Sequence, residues 1–465
     1  MKKLSVFLVF LVLSGILAGE VLADNDYKEV QENSYQVHWD GSAEVTFRTI
    51  LYGPEDMLNK TKETITQMGL ENATKLFVNQ EVQFLNNLGL NLENATGEII
   101  GYNTTGPLET VITGRITNLA RYYSYDGVWE ITLDALRILD LTNINLTVVN
   151  GSIYLENYFT VTLPSGAKVT NITKGFEVES NGSYIKLETK EDGEKVTMHS
   201  IIYLKNGVSG DDLKTLYAQL QPVIITYTGQ SGNEVYSTWK MTTESNITVR
   251  GNETIVDTLE KYEEPESYVN SIKMQFLIGG VQMAEQSIYQ NLLTQFQMNG
   301  IKVINGSVKL LNLNSTEPLM IKYHWVLQEL IRTANGSYIY TYDPRLELGN
   351  LTFPYRLTIA VNETKITRVV LPKGYKFTSI PKDINVETKA GSVKMAISKV
   401  SDREVVISSN VYLAYGVPSK DYRDLMAQIP ENVEFKYEET GGSGICGPAG
   451  LLLIGLVPLI FRRRK

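Results

Sequence analysis

The sequence predicts an α+β chain made of two tandem copies of one unit, each with one or more helices, an antiparallel β-sheet or sandwich and a short C-terminal helix. An N-terminal signal helix and a C-terminal hydrophobic helix flank the copies. Three observations predict this. Apolar segments abut basic residues at both ends, a helix-and-turn pattern recurs after 208–211 residues, and period-two alternation runs between Gly, Asn and Asp turns through the rest. The boundaries that follow are a signal segment at 1–23, units at 24–232 and 233–440, and a Gly/Ser hinge with a tail at 441–465.

The first element opens with Lys2 and Lys3 ahead of an apolar run from Leu4 to Ala18. A basic start before roughly 7–15 apolar residues is the pattern of a secretory signal. Val21-Leu22-Ala23, just before Asp24-Asn25-Asp26, offers a small-residue cleavage site. The run falls short of the ~20 residues of a bilayer span.

Within the units, Leu70, Ala73, Phe77 and Leu85 lie on one helical face, and Val281, Ala284, Ile288 and Phe296 repeat it 211 residues later. Gly89-Leu90 and Gly300-Ile301 close the two helices, glycine being suited to the left-handed backbone beyond a helix end. Leu163-Pro164-Ser165-Gly166 likewise matches Leu371-Pro372-Lys373-Gly374. Ser209 then caps a short helix with Leu213, Leu216, Tyr217 and Leu220 inward, and Ser419 one with Tyr422, Leu425, Met426 and Ile429 inward. Each leads into a strand, Val223–Thr228 and Val433–Tyr437. Tyr158–Leu163, Ser183–Glu188, Val196–Leu204 and Glu404–Tyr412 alternate as half-wet strands, with Asn181-Gly182 and Asp192-Gly193 as tight turns. Short spacings favour antiparallel pairing.

The last element is Gly441-Gly442-Ser443-Gly444, then Ile445-Cys446-Gly447-Pro448, an apolar stretch to Phe461, and Arg462-Arg463-Arg464-Lys465. As one helix, 445–461 would be about 25 Å long, slightly short of the ~30 Å hydrocarbon core. The closing cations predict a cytoplasmic end, with the body outside. From Cys446 onward these residues resemble the CGP-CTERM sorting tail of archaeal surface proteins. The resemblance implies a processing signal at Cys446, Gly447 and Pro448, with Cys446 as the lipid-bearing residue. Either the apolar helix is retained or lipid on Cys446 replaces it. The Thr/Ser-rich stalk often found before such tails is replaced here by four Gly/Ser residues.

Hydrophobic residues are 43% and charged residues 20% of the 465, the proportions of a folded body. Without residues 1–23 and the tail, 37 Lys+Arg stand against 51 Asp+Glu, a net charge of −14. Such a surface repels phosphate backbones, so no nucleic-acid partner is expected. Cys446 is the one cysteine, which excludes an internal disulfide, a thiolate metal site and dithiol redox chemistry. Fifteen Asn-X-Ser/Thr sequons begin at Asn59, Asn72, Asn94, Asn103, Asn145, Asn150, Asn171, Asn181, Asn246, Asn252, Asn305, Asn314, Asn335, Asn350 and Asn362. In an exported chain they predict N-glycans on solvent-facing backbone.

No motif asks for catalysis. His38, His199 and His324 are the three histidines and none has His-Glu-X-X-His spacing. There is no Gly-X-Ser-X-Gly elbow and no phosphate loop. No catalytic, metal or cofactor residue is assigned. Glu263-Glu264-Pro265-Glu266 reads as a solvated linker before a helix, with a calcium or substrate site as the alternative. Tyr122-Tyr123-Ser124-Tyr125 and Tyr338-Ile339-Tyr340-Thr341-Tyr342 either pack in a sheet or present rings to sugars or a protein partner. The expected role is a non-catalytic surface scaffold, adhesion or binding function. The membrane, the export and C-terminal sorting machinery, and envelope proteins or glycans are the expected partners. The alternatives are an anchored extracellular hydrolase using paired carboxylates on glycans or peptides, and a module holding a solute between the duplicated units.

Overall fold

The computed structural model describes residues 26–53, 55–87, 89–133, 151–220, 222–234, 236–250, 253–298, 301–328, 332–334, 337–342, 344 and 356–440. The signal segment, the tail with Cys446, Gly447, Pro448 and Arg462 to Lys465, and the sequons at Asn145, Asn150, Asn252, Asn335 and Asn350 lie outside the described residues. The described residues form an α+β chain of 24 strands and six helices, divided between Val235 and Tyr236 into two compact units. Among them no helix is long and apolar enough to cross a membrane.

The first unit opens with the hairpin β1 (Tyr27–Val37) and β2 (Ala43–Gly53), followed by α1 (Glu55–Met68) and α2 (Leu70–Asn87). Then come β3 (Leu92–Ile100), β4 (Leu108–Ile116), β5 (Ala120–Tyr123), β6 (Val128–Leu133), β7 (Ile153–Thr162), β8 (Lys168–Ile172), β9 (Phe176–Ser180), β10 (Ser183–Asp192) and β11 (Lys195–Leu204). Helix α3 (Gly210–Ala218) and β12 (Val223–Thr228) close it. An eight-stranded sheet has the order β3-β4-β2-β1-β7-β11-β10-β9, and a four-stranded sheet the order β5-β6-β12-β8.

The second unit contains β13 (Thr238–Arg250), β14 (Glu253–Glu264), α4 (Glu266–Gly279), α5 (Val281–Met298), β15 (Lys302–Leu311), β16 (Leu319–Gln328), β17 (Arg332–Ala334) and β18 (Ser337–Tyr342). It continues with β19 (Ala360–Val370), β20 (Tyr375–Ser379), β21 (Ile384–Thr388), β22 (Gly391–Ser401), β23 (Glu404–Leu413), α6 (Ser419–Gln428) and β24 (Val433–Glu439). Its sheets have the orders β15-β16-β14-β13-β19-β23-β22-β21 and β17-β18-β24-β20, the same succession strand for strand.

Three expectations need correction. The large sheets are mixed, because β1 pairs parallel with β7 and β13 with β19. A long excursion through two helices and five strands separates the members of each pair, so no hairpin forces the antiparallel sense. Two strands also precede the helices in each unit. Finally, Ser419 does not cap its helix. Pro418 is the N-cap, without a side-chain bond, whereas Ser209 Oγ accepts from the Asp212 N–H at 3.1 Å.

In the first unit the helices and small sheet cover one face of the large sheet. Phe159, Val161 and Met198 pack with Trp129, Ile225 and Tyr227 of the small sheet and Phe77 and Leu85 of α2. Leu51, Leu108, Leu155 and Ile202 pack with Leu58, Ile65 and Ala73 of α1 and α2 and with Leu213 and Leu216 of α3. Of the predicted α2 face, Leu70 is exposed. The helix ends agree: the Leu90 N–H donates to Leu85 at 2.9 Å and the Ile301 N–H to Phe296 at 2.8 Å, the six-to-one closure of a Schellman turn.

Candidate functional site

A belt of buried polar side chains crosses the covered face of each large sheet. In the first unit Thr110, Thr49, Gln31, Asn157 and Ser200 are register partners on β4, β2, β1, β7 and β11, and all five are buried. They separate the two apolar clusters. Buried polar groups need partners, and Asn157 donates to Ser200 at 3.1 Å while Gln31 donates to Glu29 at 2.6 Å. The belt of the second unit runs through Glu260, Thr243, Lys365 and Ser409. The Tyr262 and Tyr323 hydroxyls donate to Glu260, the latter at 2.9 Å. Burial pushes the Glu260 carboxyl up to about 8, against these hydrogen bonds and the charge of Lys365. Enclosed and unexposed, the cluster belongs to the core.

A pair of buried cations sits on the helices. Lys62 of α1 donates to the carbonyls of Thr104 at 2.8 Å and Gly106 at 2.5 Å. Lys273 of α4, 211 residues on, donates to those of Ser315 at 3.0 Å and Glu317. Each lysine holds the loop that carries a sequon, at Asn103 and Asn314. Neither lysine stood out in the sequence, though a lysine on an apolar helical face at both positions was there to be seen.

The opposite face of the first large sheet faces solvent and collects aromatic rings. Lys28 lies beside Tyr154 on β7, which lies beside Tyr203 on β11, which lies beside Tyr184 on β10. Lys28 Nζ is 5.4 Å from the Tyr52 ring centre and 5.5 Å from that of Tyr154, within cation–π range. Tyr184 and Tyr203 are 5.4 Å apart. Further along β7, Tyr158 stacks on His199 at 4.5 Å, and both bond Glu156, at 2.6 and 2.9 Å. Burial raises the Glu156 carboxyl, but the bonds from Tyr158 and His199 and the charge of Lys28 bring it below its ordinary value. The bond to Glu156 drives the Tyr158 phenol up to about 12. Tyr52 and Tyr158 are 48% and 42% exposed, so their rings are open to a ligand, while Tyr154, Tyr184, Tyr203 and Glu156 are half-buried. His199 has no hydroxyl nucleophile bonded to it among the described residues, and no group of His, Asp and Glu there could hold a metal.

The second unit differs at this row. Register places Glu263, Lys240, Asn362, Tyr412 and Ser392 where the first has Tyr52, Lys28, Tyr154, Tyr203 and Tyr184. A sequon asparagine thus stands in the middle of the row, and Asn246 of β13 stands on the same face. No sequon lies on this face of β2, β1, β7, β11 or β10 in the first unit.

Of the described sequons, Asn59, Asn72, Asn94, Asn103, Asn171, Asn181, Asn246, Asn305 and Asn314 are exposed and Asn362 is half-buried. Asn94, with φ 52°, borders a polar groove of about 540 Å³ lined in part by Ser34, Glu44, Thr46 and Arg115. The described rings of the predicted tyrosine clusters pack, the first of the two readings. Tyr123 is buried, Tyr122 lies 5.3 Å from Trp129, and Tyr338 stacks on Tyr437 at 5.2 Å. The acidic run is no linker either. Glu263 and Glu264 end β14 and Glu266 opens α4, and Lys261 bonds Glu263 at 2.6 Å and holds its carboxyl low. His324 bonds Asp257 at 2.8 Å on the exposed sheet face.

Glu81 of α2 is buried, its carboxyl pushed up to about 7 by burial. The second unit has Leu292 at this place, fully buried. Glu81→Leu is expected to stabilise the first unit by roughly 1–3 kcal/mol. The gain should be larger at pH 7 than at pH 4.5, since a folded carboxyl that titrates high loses stability as pH rises through that window. Calorimetric melts at the two pH values measure it.

Residues 328–438, from the end of β16 to β24, match DUF3858, a domain of unknown function with a solved structure. A crystal structure described as a "putative protease" from Parabacteroides distasonis ATCC 8503 aligns over 88% of this chain and 99% of its own, at 9% identity and a TM-score of 0.20. No curated protein matches this chain.

Proposed function

We propose that the protein is an exported, N-glycosylated surface protein, tethered through its C-terminal tail, whose first unit binds carbohydrate on the tyrosine row. The two units are read as copies of one ancestral unit, with binding kept by the first. The observation that carries the reading is the contrast between matching rows: in one unit Tyr52 and Lys28 are exposed and Tyr154, Tyr203 and Tyr184 half-buried, with no sequon among them, while Asn362 interrupts the other. Tyrosine offers a large apolar ring with a polar tip, suited to the apolar face of a pyranose, and Glu156 and Lys28 supply hydrogen-bonding groups beside it. A glycan on Asn362 would block the equivalent surface. Export and tethering are supported by the basic-flanked apolar ends and the CGP-CTERM-like tail. The duplication is supported by the identical strand succession and by the paired lysines, Lys62 and Lys273.

Glycan-array screening of the full chain, followed by calorimetric titration, tests the binding. Tyr154→Ala is expected to weaken binding about tenfold, the value of roughly 1–1.5 kcal/mol of ring contact. Tyr412→Ala in the second unit should leave it unchanged. Absence of glycan binding, or equal losses in both variants, would overturn the assignment. Mass spectrometry of the native C-terminus reads the fate of Cys446.

A further inference from the structure

The two helical hairpins have equal lengths, 14 and 18 residues in each unit, and both tips expose apolar side chains, Met68 and Leu70 in the first, but they differ in charge. In the first unit the tip carries Glu63, Glu71 and the sequon at Asn72, and burial resumes at Ala73. In the second unit residues 274–284 contain no charged side chain, and no residue between Lys273 and Ile288 is buried. Ile278 is 81%, Met283 73% and Met274 55% exposed, with Phe276, Leu277 and Val281 half-buried beside them. Neither α4 nor α5 carries a sequon. A contiguous apolar surface of this kind marks an interaction site.

We propose that the α4–α5 tip of the second unit inserts into the surface of a lipid bilayer. The proposal rests on the membrane-tethered reading above. Beyond β24 of this same unit the chain continues directly into the apolar, cation-terminated segment 441–465, so the unit bearing the apolar tip is the one next to the tether. From Lys273, the last buried residue of α4, to Gly279 the helix extends about 9 Å, which matches the roughly 5–10 Å to which interfacial helices sink into the headgroup and acyl boundary. The absence of charge removes the desolvation cost that Glu63 and Glu71 would impose at the other tip. Exclusion of glycan is required of any surface that meets lipid.

The test uses the full chain with Ile278→Trp, or with Gln67→Trp at the matching place of the first unit, reconstituted in phosphatidylcholine vesicles with and without brominated acyl chains. Bromine is expected to reduce the fluorescence added by the Ile278→Trp indole at least twofold and to leave that added by Gln67→Trp unchanged. Vesicle flotation is scored in parallel. Flotation without quenching at position 278 overturns the insertion and leaves the tether standing. Failure to float overturns the tether and, with it, this proposal. Emission from the Ile278→Trp indole that ignores bromine but shifts blue with protein concentration identifies a contact between copies of the chain, and also overturns it.

Discussion

Glu260→Gln is expected to leave the second unit about as stable as the parent at pH 4.5 and several kcal/mol more stable at pH 8. The folded carboxyl titrates near 8, against an ordinary value of 4.5, because it is wholly buried on β14. The folded state therefore holds its proton more tightly than the unfolded chain. The associated stability is complete below 4.5 and is lost as pH rises to 8, at about 1.4 kcal/mol per pH unit. Glutamine keeps the shape and can still accept from Tyr262 and Tyr323, but it does not titrate. Hydrogen exchange of the β14 amides across pH 5–8 reads the difference. Parallel curves for parent and variant would mean that Glu260 is ionised throughout and fully matched by Lys365.

Lys62→Met and Lys273→Met are each expected to destabilise their own unit by about 3 kcal/mol. Methionine preserves the packing of the stem but leaves two loop carbonyls without their donor, and an unmet buried acceptor costs roughly 1–3 kcal/mol. Lys62→Arg should not restore the parent, since a planar guanidinium cannot replace a compact ammonium directed at two carbonyls of one tight loop. Exchange protection should fall first in residues 101–107 for one variant and 312–318 for the other. Uniform loss of protection over the unit would reject the loop-clamp assignment.

The strands read from sequence were those whose inner faces are apolar. Tyr158–Leu163, Val196–Leu204 and Glu404–Tyr412 lie in β7, β11 and β23 and their continuations, and Asn181-Gly182 forms a turn with φ of 50° and 81°. Strand β1 is harder to read because the middle of its buried side carries Glu29, Gln31 and Asn33, so its hydropathy alternates only near its ends. In β13 the break is shorter, with Thr243 and Ser245 inward between the alternating stretches Trp239–Met241 and Ile247–Val249. The tyrosine row was not legible at all. Its members stand at positions 28, 52, 154, 184 and 203, and only sheet register brings them together. Of the tyrosines that cluster in sequence, Tyr122 and Tyr123 are adjacent along β5, and adjacent strand residues point to opposite faces, so one of the two is committed to packing.

The polar belts have a further consequence for a chain that contains two near-equivalent folding units, where strands can be exchanged between neighbours during folding. On the parallel ladder, Glu29 of β1 sits beside Leu155 in the first unit, while Met241 of β13 sits beside Glu363 in the second. Were β1 to add to β19, Glu29 and Glu363 would be forced together in the interior and Lys365 would face Gln31. Were β13 to add to β7, Met241 would sit beside Leu155 and Thr243 beside Asn157, with no charges opposed. The mismatch on the β1–β19 ladder thus penalises one exchange between the units, so part of their fidelity is encoded in interior charged groups.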